Sequence, residues 1–236
     1  MQFYRRLSSF KAISFDLDDT LYHNFPVMMA TDAKMIAYFR QVLPPLSHGD
    51  YDYHYWYTFR QAALKHTPEL THDVAKIRLQ SYFLGIQALD FNVQVSLEMA
   101  NQALDYFVTQ RSDFVVPENI HLLLAALKKH WPLIAISNGN VDTKAIGIAE
   151  YFSAIFHAGD GLLQKPEPDM FARACQQFEL LPHQLLHVGD CGANDILGAL
   201  RFGCQTAWVS SYDVGKPLRV LPHLALTDVT ELHRLI

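Results

Sequence analysis

The chain has 236 residues, of which half are apolar and 18% charged, and its net charge is −5. That length accommodates a core domain with a smaller companion, and the apolar share is too high for a disordered chain. Its basic spots are short (Arg5-Arg6, Lys128-Lys129), so it lacks the clustered cations that nucleic-acid binding requires.

In chain order, residues 11–16 predict a β-strand that ends abruptly in acids. From about 26 to 110 the period is helical: residues 30–39, 74–89 and 97–107 place apolar side chains at spacings of three and four. After Val116, predicted helices over 118–129, 169–178 and 193–202 alternate with short apolar runs at 133–136, 154–156, 185–188 and 206–209. Such alternation predicts an α/β fold with a parallel sheet covered by helices on both faces. The helical block becomes an inserted all-α bundle, a cap over one edge of the sheet. The expected division is a core of 1–22 and 113–236 and a helical domain of 23–112. In open parallel sheets the site lies beyond the carboxyl ends of the strands, where polar residues distant in the chain converge.

The densest local signal is Phe15-Asp16-Leu17-Asp18-Asp19-Thr20. Three acids in four positions after a strand are costly unless a cation or proton compensates them, and Mg²⁺ prefers such oxygens. The bland alternative is a loop in which Asp18 or Asp19 caps a helix. His187-Val188-Gly189-Asp190, followed by Asn194-Asp195, repeats the logic, with Asp190 as a metal ligand and Asp195 behind it, or with Asp190 as an ordinary cap. Ser137-Asn138-Gly139 at another strand end could hold phosphate oxygens, though it is also a common turn. Lys165-Pro166-Glu167-Pro168 fixes a lysine before a helix, where a lone lysine is usually a surface charge.

Taken in order, Asp-x-Asp, Ser-Asn, Lys-Pro and Gly-Asp-x4-Asp resemble the haloacid dehalogenase superfamily. The resemblance covers the core, and the insertion looks like that family's C1-type cap. It implies a Rossmann-like core and a Mg²⁺-dependent phosphatase. Asp16 would be the nucleophile and Asp18 the general acid and base. Ser137, Asn138 and Lys165 would bind the phosphoryl group, and Asp16, Asp18 (by its carbonyl) and Asp190 the metal. Asp195 would orient that shell, with Asp19 and Thr20 shaping the loop. Phe3-Tyr4-Arg5, Thr20-Leu21-Tyr22-His23-Asn24, Ser137-Asn138-Gly139-Asn140 and Leu186-His187-Val188-Gly189-Asp190 are similar to the bacterial group acting on FMN and on the phosphorylated ribitylamino-uracil of riboflavin synthesis. Members that cleave carbon–halogen bonds typically lack an acid two positions after the nucleophile, so Asp18 argues against dehalogenation. A phosphomutase or a non-catalytic scaffold are the alternatives. Response-regulator receivers, which also form an aspartyl-phosphate, are shorter and lack the insertion.

Beyond those motifs, the aromatic stretch 51–59 reads as a stacking surface for a flat ring, as cap-core packing, or as the interface of a homodimer. Arg78 could reach a substrate anion or pair with Asp73. Tyr22 and Asn24 are candidates for touching the leaving group, and His187 is expected in the core. No HxH or HExxH spacing supports zinc. Three cysteines (Cys175, Cys191, Cys204) without a CxxC pair fit a reducing cytoplasm. Neither an h-region after residues 1–6 nor an unbroken apolar span appears, so a cytoplasmic protein with no membrane partner is expected.

Overall fold

The computed structural model describes every residue except Asp160 and Asp213. The chain parts into two compact units: Met1–Asn24 with Val115–Gly139 and Thr143–Ile236, and Phe25–Phe114 with Asn140–Asp142. The division falls two residues later than the sequence boundaries at 22/23 and 112/113. Asn24 stays with the first unit, where its N–H donates to Asp19 Oδ1 at 2.9 Å. Asn140–Asp142 group with the helices because Arg111 Nε donates to Asn140 Oδ1 and the Asp142 N–H to Ser112 Oγ.

The first unit is built on a sheet of seven strands: β1 (Gln2–Phe3), β2 (Ala12–Phe15), β3 (Leu133–Ser137), β4 (Ala154–His157), β5 (Leu185–Gly189), β6 (Gln205–Val209) and β7 (Leu224–Leu226). Their order is β1-β7-β6-β5-β2-β3-β4. Six run parallel. The edge strand β1 is antiparallel to β7, an exception to the all-parallel expectation that its two residues are too short to announce. β2, β3 and β5 are buried along their whole length, as strands covered on both faces must be, which is why they read as unbroken apolar runs. Helices α5 (Glu118–Leu127), α6 (Asp169–Gln177) and α7 (Gly198–Phe202) belong to this unit. The helix expected over 193–202 is a π-helical turn, Gly192–Leu197, that runs into α7.

The second unit consists of α1 (Asn24–Val42, whose first residue belongs to the first unit), α2 (Tyr53–His66), α3 (Val74–Gln87) and α4 (Val93–Arg111). Asp52, Asp73 and Asn92 cap α2, α3 and α4 by accepting backbone N–H groups from the first turn, which satisfies donors the helix itself leaves unpaired. Met35, Phe39, Tyr51, Tyr82, Ile86, Ala100, Ala103 and Phe107 form its core. Trp56 joins them, its ring 4.3 Å from Phe39 and 4.9 Å from Tyr82 between centroids. The aromatic stretch therefore divides by helical period: Tyr51, Tyr55 and Trp56 pack inward, while Tyr53 and Tyr57 are exposed and stack on each other at 5.4 Å. Among the described residues no helix is long and apolar enough to cross a membrane.

Gly85 of α3 lets that packing close. A Cβ there would meet Trp56 Cζ3 at 2.5 Å and Phe59 Cδ2 at 3.0 Å. Alanine favours a helix by about 1 kcal/mol over glycine, but overpacking costs roughly 1–3 kcal/mol. Gly85→Ala is expected to lower the denaturant midpoint, and an unchanged or raised midpoint would contradict this packing.

Candidate active site

Pairing of β2 with both β3 and β5 brings three strand ends level. Ser14 lies opposite Ile134 on one side and His187 on the other. One step beyond β2, the Asp16 N–H still donates to the Val188 carbonyl at 2.9 Å. Asp16, Ser137 and Asp190 thus leave the same edge of the sheet.

Lys165 reaches this edge from the segment between β4 and α6. The Asn138 side chain fixes its backbone, donating from Nδ2 to the Lys165 carbonyl at 2.9 Å and accepting the Lys165 N–H at 2.8 Å. The ammonium is buried and donates to Asp16 Oδ1, Asp195 Oδ1 and the Ile136 carbonyl, each at 2.7 Å. An ammonium has three donors, and all three are used. Burial alone would lower its pKa, but Asp16 and Asp195 outweigh burial and raise it, so it is a permanent cation.

Asp195 sits on the π-helical turn. Besides Lys165, its Oδ1 receives His187 Nε2 at 3.2 Å, and its Oδ2 accepts the Cys191 N–H at 2.9 Å. Burial would raise Asp195, yet Lys165 and His187 hold it below the usual carboxylate range. Burial lowers His187 against the pull of Asp195. The ring is neutral, donates from Nε2 to the carboxylate, and accepts the Ser14 hydroxyl at Nδ1 across 2.9 Å. Gly189 makes room: a Cβ there would lie 2.3 Å from the Asp195 carboxyl carbon.

The other acids lean the opposite way. Burial raises Asp16 well above its ordinary value, helped by Asp195 and Asp190 and opposed by Lys165. Burial, Asp195 and Asp19 push Asp190 up to about 7. Carboxylate oxygens of Asp16, Asp190 and Asp195 all lie within 4.8 Å of one another. One lysine does not balance them, and their hard oxygens suit a divalent metal such as Mg²⁺. The cluster can hold such an ion. Because both Asp195 oxygens are engaged by Lys165, His187 and Cys191, Asp16 and Asp190 are the better placed ligands.

Asp18 has its orientation set by Tyr22, whose hydroxyl donates to Oδ1 at 2.7 Å. Tyr22 is 2% exposed and braces Asp18 from within the first unit. Asp19 adopts a left-handed backbone (φ 57°) and caps the Asn24 N–H, which shapes the loop. Thr20 donates to Asp190 Oδ1 at 3.3 Å. Asp16, Asp18, Ser137, Asn138, Lys165 and Asp195 line one cavity of about 100 Å³, room for a few waters or a phosphoryl-sized group. The Ser14–His187 pair and the Asn138 side chain are the participants that sequence reasoning passed over. A histidine in an otherwise apolar strand was the available signal, but its partners depend on strand register.

The model of the haloacid dehalogenase-like hydrolases matches residues 10–203. Over its full length, and over all of the relative, the chain is 34% identical to the 5-amino-6-(5-phospho-D-ribitylamino)uracil phosphatase YigB of Escherichia coli. Phosphoserine phosphatase of Thermus thermophilus is 26% identical over 57% of each chain. Among solved structures, a 2-haloacid dehalogenase from Pseudomonas syringae pv. Tomato superposes with a TM-score of 0.87, at 24% identity over 96% of this chain and 97% of that one.

A carboxyl whose pKa is raised on folding opposes stability as pH rises. For Asp190 the cost begins near its unfolded value of 3.8, grows to about pH 7 and then levels off. In EDTA, Asp190→Asn is therefore expected to melt above the parent. The gap should widen from pH 5 to 7 toward roughly 4 kcal/mol, about three pH units' worth, and Mg²⁺ should narrow it. A gap that is absent, or that closes as pH rises, would contradict the charge imbalance.

Proposed function

The chain belongs to the haloacid dehalogenase-like hydrolases, and from that premise we propose a Mg²⁺-dependent phosphatase that hydrolyses a small phosphate monoester through an aspartyl-phosphate on Asp16. The substrate is FMN or 5-amino-6-(5-phospho-D-ribitylamino)uracil, supported by full-length similarity to an enzyme named for the latter. The observation that carries the chemistry is the buried Lys165–Asp16 contact, 2.7 Å long, in one cavity with the Asp18 carboxylate.

A carboxylate and a phosphate dianion repel one another, so attack requires positive charge around both. Lys165 supplies one cation, held against Asp16 before substrate arrives. Asp16, Asp190 and the Asp18 carbonyl would hold Mg²⁺, which would supply further positive charge for the transferring oxygens. Ser137 Oγ and the Asn138 N–H orient those oxygens. An Asp16 oxygen then attacks phosphorus and the bond to the leaving oxygen breaks, while Asp18 gives that oxygen its proton. In the second half, Asp18 takes a proton from water, the water oxygen attacks phosphorus, and Asp16 is released as a carboxylate.

The 2-haloacid dehalogenase likeness is one of fold. A halide leaves without a proton, so that chemistry has no work for an acid two positions after the nucleophile, and here Tyr22 braces that acid. The motifs are shared by phosphomutases, which differ in the acceptor of the second step. Mutase activity would appear as phosphate transferred to a second hydroxyl with no phosphate released.

Asp16→Asn is expected to abolish phosphate release from p-nitrophenyl phosphate and FMN with the fold intact, and Asp18→Asn to lower kcat by roughly 10²–10⁴. EDTA should stop turnover and Mg²⁺ restore it. Turnover by Asp16→Asn would sink the nucleophile assignment. Hydrolysis of the generic ester without FMN or the uracil derivative would leave a phosphatase of another substrate.

A further inference from the structure

Within the helical unit lies a second cavity, of about 300 Å³, lined by Met28 and Asp32 of α1, Tyr53, Trp56, Tyr57 and Arg60 of α2, and residues of α3 that include Arg78 and Tyr82. That volume is at the lower end of small-molecule sites. Its walls combine aromatic faces with two guanidinium groups and one carboxylate.

Among the described residues the fold gives neither guanidinium a carboxylate partner, and Arg78 has only the Tyr82 hydroxyl and the Phe107 ring beside it. Arg78 does not pair with Asp73, which caps α3 and binds Lys76. Its guanidinium carbon lies 3.6 Å from the centre of the Phe107 ring, and its Nε is buried without a hydrogen-bond partner. Among the described residues, neither Arg60 nor Arg78 has a carboxylate within ion-pair distance. They also act on each other: burial lowers Arg60, and Arg78 lowers it further. Asp32, raised by burial, feels Arg78 only weakly enough to be partly drawn back. An unsatisfied buried donor costs roughly 1–3 kcal/mol, which a ligand offering acceptors would remove. Beside these groups Tyr53 and Tyr57 hold two aromatic rings against each other at the surface, 64% and 42% exposed.

We infer that this cavity binds a planar heteroaromatic ring with a carbonyl-bearing edge, stacked against the α2 aromatics, with Arg60 and Arg78 donating to its carbonyls and Asp32 accepting a ring N–H. Stacking selects a flat ring over a simple anion, and the guanidinium forks select acceptors along one edge. A pyrimidinedione or isoalloxazine edge, which alternates carbonyl, N–H and carbonyl, offers the matching set. The inference deepens the proposed function, on which its choice of ring rests, and the ring has two sources: the substrate's own leaving group, or a separate molecule that modulates the enzyme.

Riboflavin, which has no phosphate, is the probe. Its fluorescence should be quenched on titration into the full-length protein, and affinity should fall at least tenfold in Arg60→Gln and in Arg78→Met. Arg78→Lys, which keeps the charge, should recover part of it. If KM for FMN rises in step while kcat holds, and the ratio of kcat/KM for FMN to that for glycerol 2-phosphate falls tenfold or more, the site reads the substrate. Loss of riboflavin binding with KM for FMN unmoved would assign it to a separate ligand. Failure of the native protein to bind riboflavin overturns the inference, as does undiminished binding by folded Arg60→Gln. Among the described residues the Arg60 side chain makes no hydrogen bond that its loss would break, so that variant stands even if Arg78→Met does not fold. Because riboflavin binding needs no turnover, it is read independently of whether any ester is hydrolysed.

Discussion

A lysine with 2% of its surface exposed holds the first unit's charged cluster together. Removing an ammonium from water costs several kcal/mol unless every donor finds an acceptor, and Lys165 finds three: a carboxylate after β2, a carbonyl within β3 and a carboxylate on the turn before α7. Those acceptors lie up to about 180 residues apart in the chain, so the ammonium ties together segments that only the sheet brings near. The Asn138 amide holds the lysine backbone by both its edges. Loss of the cation would leave Asp16 and Asp195 facing each other in a poorly hydrated space.

The balance of charge is deliberately incomplete. Asp195 takes the lysine, the neutral His187 and a backbone N–H, and so stays ionised. Asp16 and Asp190 receive less and sit at raised pKa values. Similar side chains a few ångströms apart are thereby separated into one held at both oxygens and two that are held less. The Ser14–His187 pair supports this division from inside the sheet: Ser14 holds one ring nitrogen while the other donates to the Asp195 oxygen that Lys165 also uses.

Much of this was legible in the linear text because parallel strands covered on both sides must be apolar, and because acids at their ends have few structural reasons to be there. The strand over 11–16 with the acids in which it ends, and the runs at 133–136 and 185–188 with Asp190 after the last, could be read for that reason. Other features are invisible to periodicity. β1 has two residues and pairs with a strand more than 200 positions away, and the π-helical turn differs from an α-turn by one residue of hydrogen-bond offset. Asn138 looks like a turn residue until its amide is seen to grip another loop. The 51–59 stretch carried several readings at once because a helix presents successive aromatics to different surroundings, some packed inward and some to solvent.

The pairing order of the sheet also dictates when the molecule can come into being during synthesis. Of the two neighbours of β2, β5 follows it out of the ribosome about 170 residues later. At translation rates of roughly 5–20 residues per second, the segment Ala-Ile-Ser-Phe waits on the order of ten to thirty seconds for that partner. Meanwhile the helices in between, where α2 packs on α3 and α3 on α4, need only contacts close in sequence, the kind that form fastest. Until β5 has been made, a growing chain holds β2 with one of its two sheet neighbours missing, and Asp16, one residue past that strand, without Asp190 and Asp195 beside it.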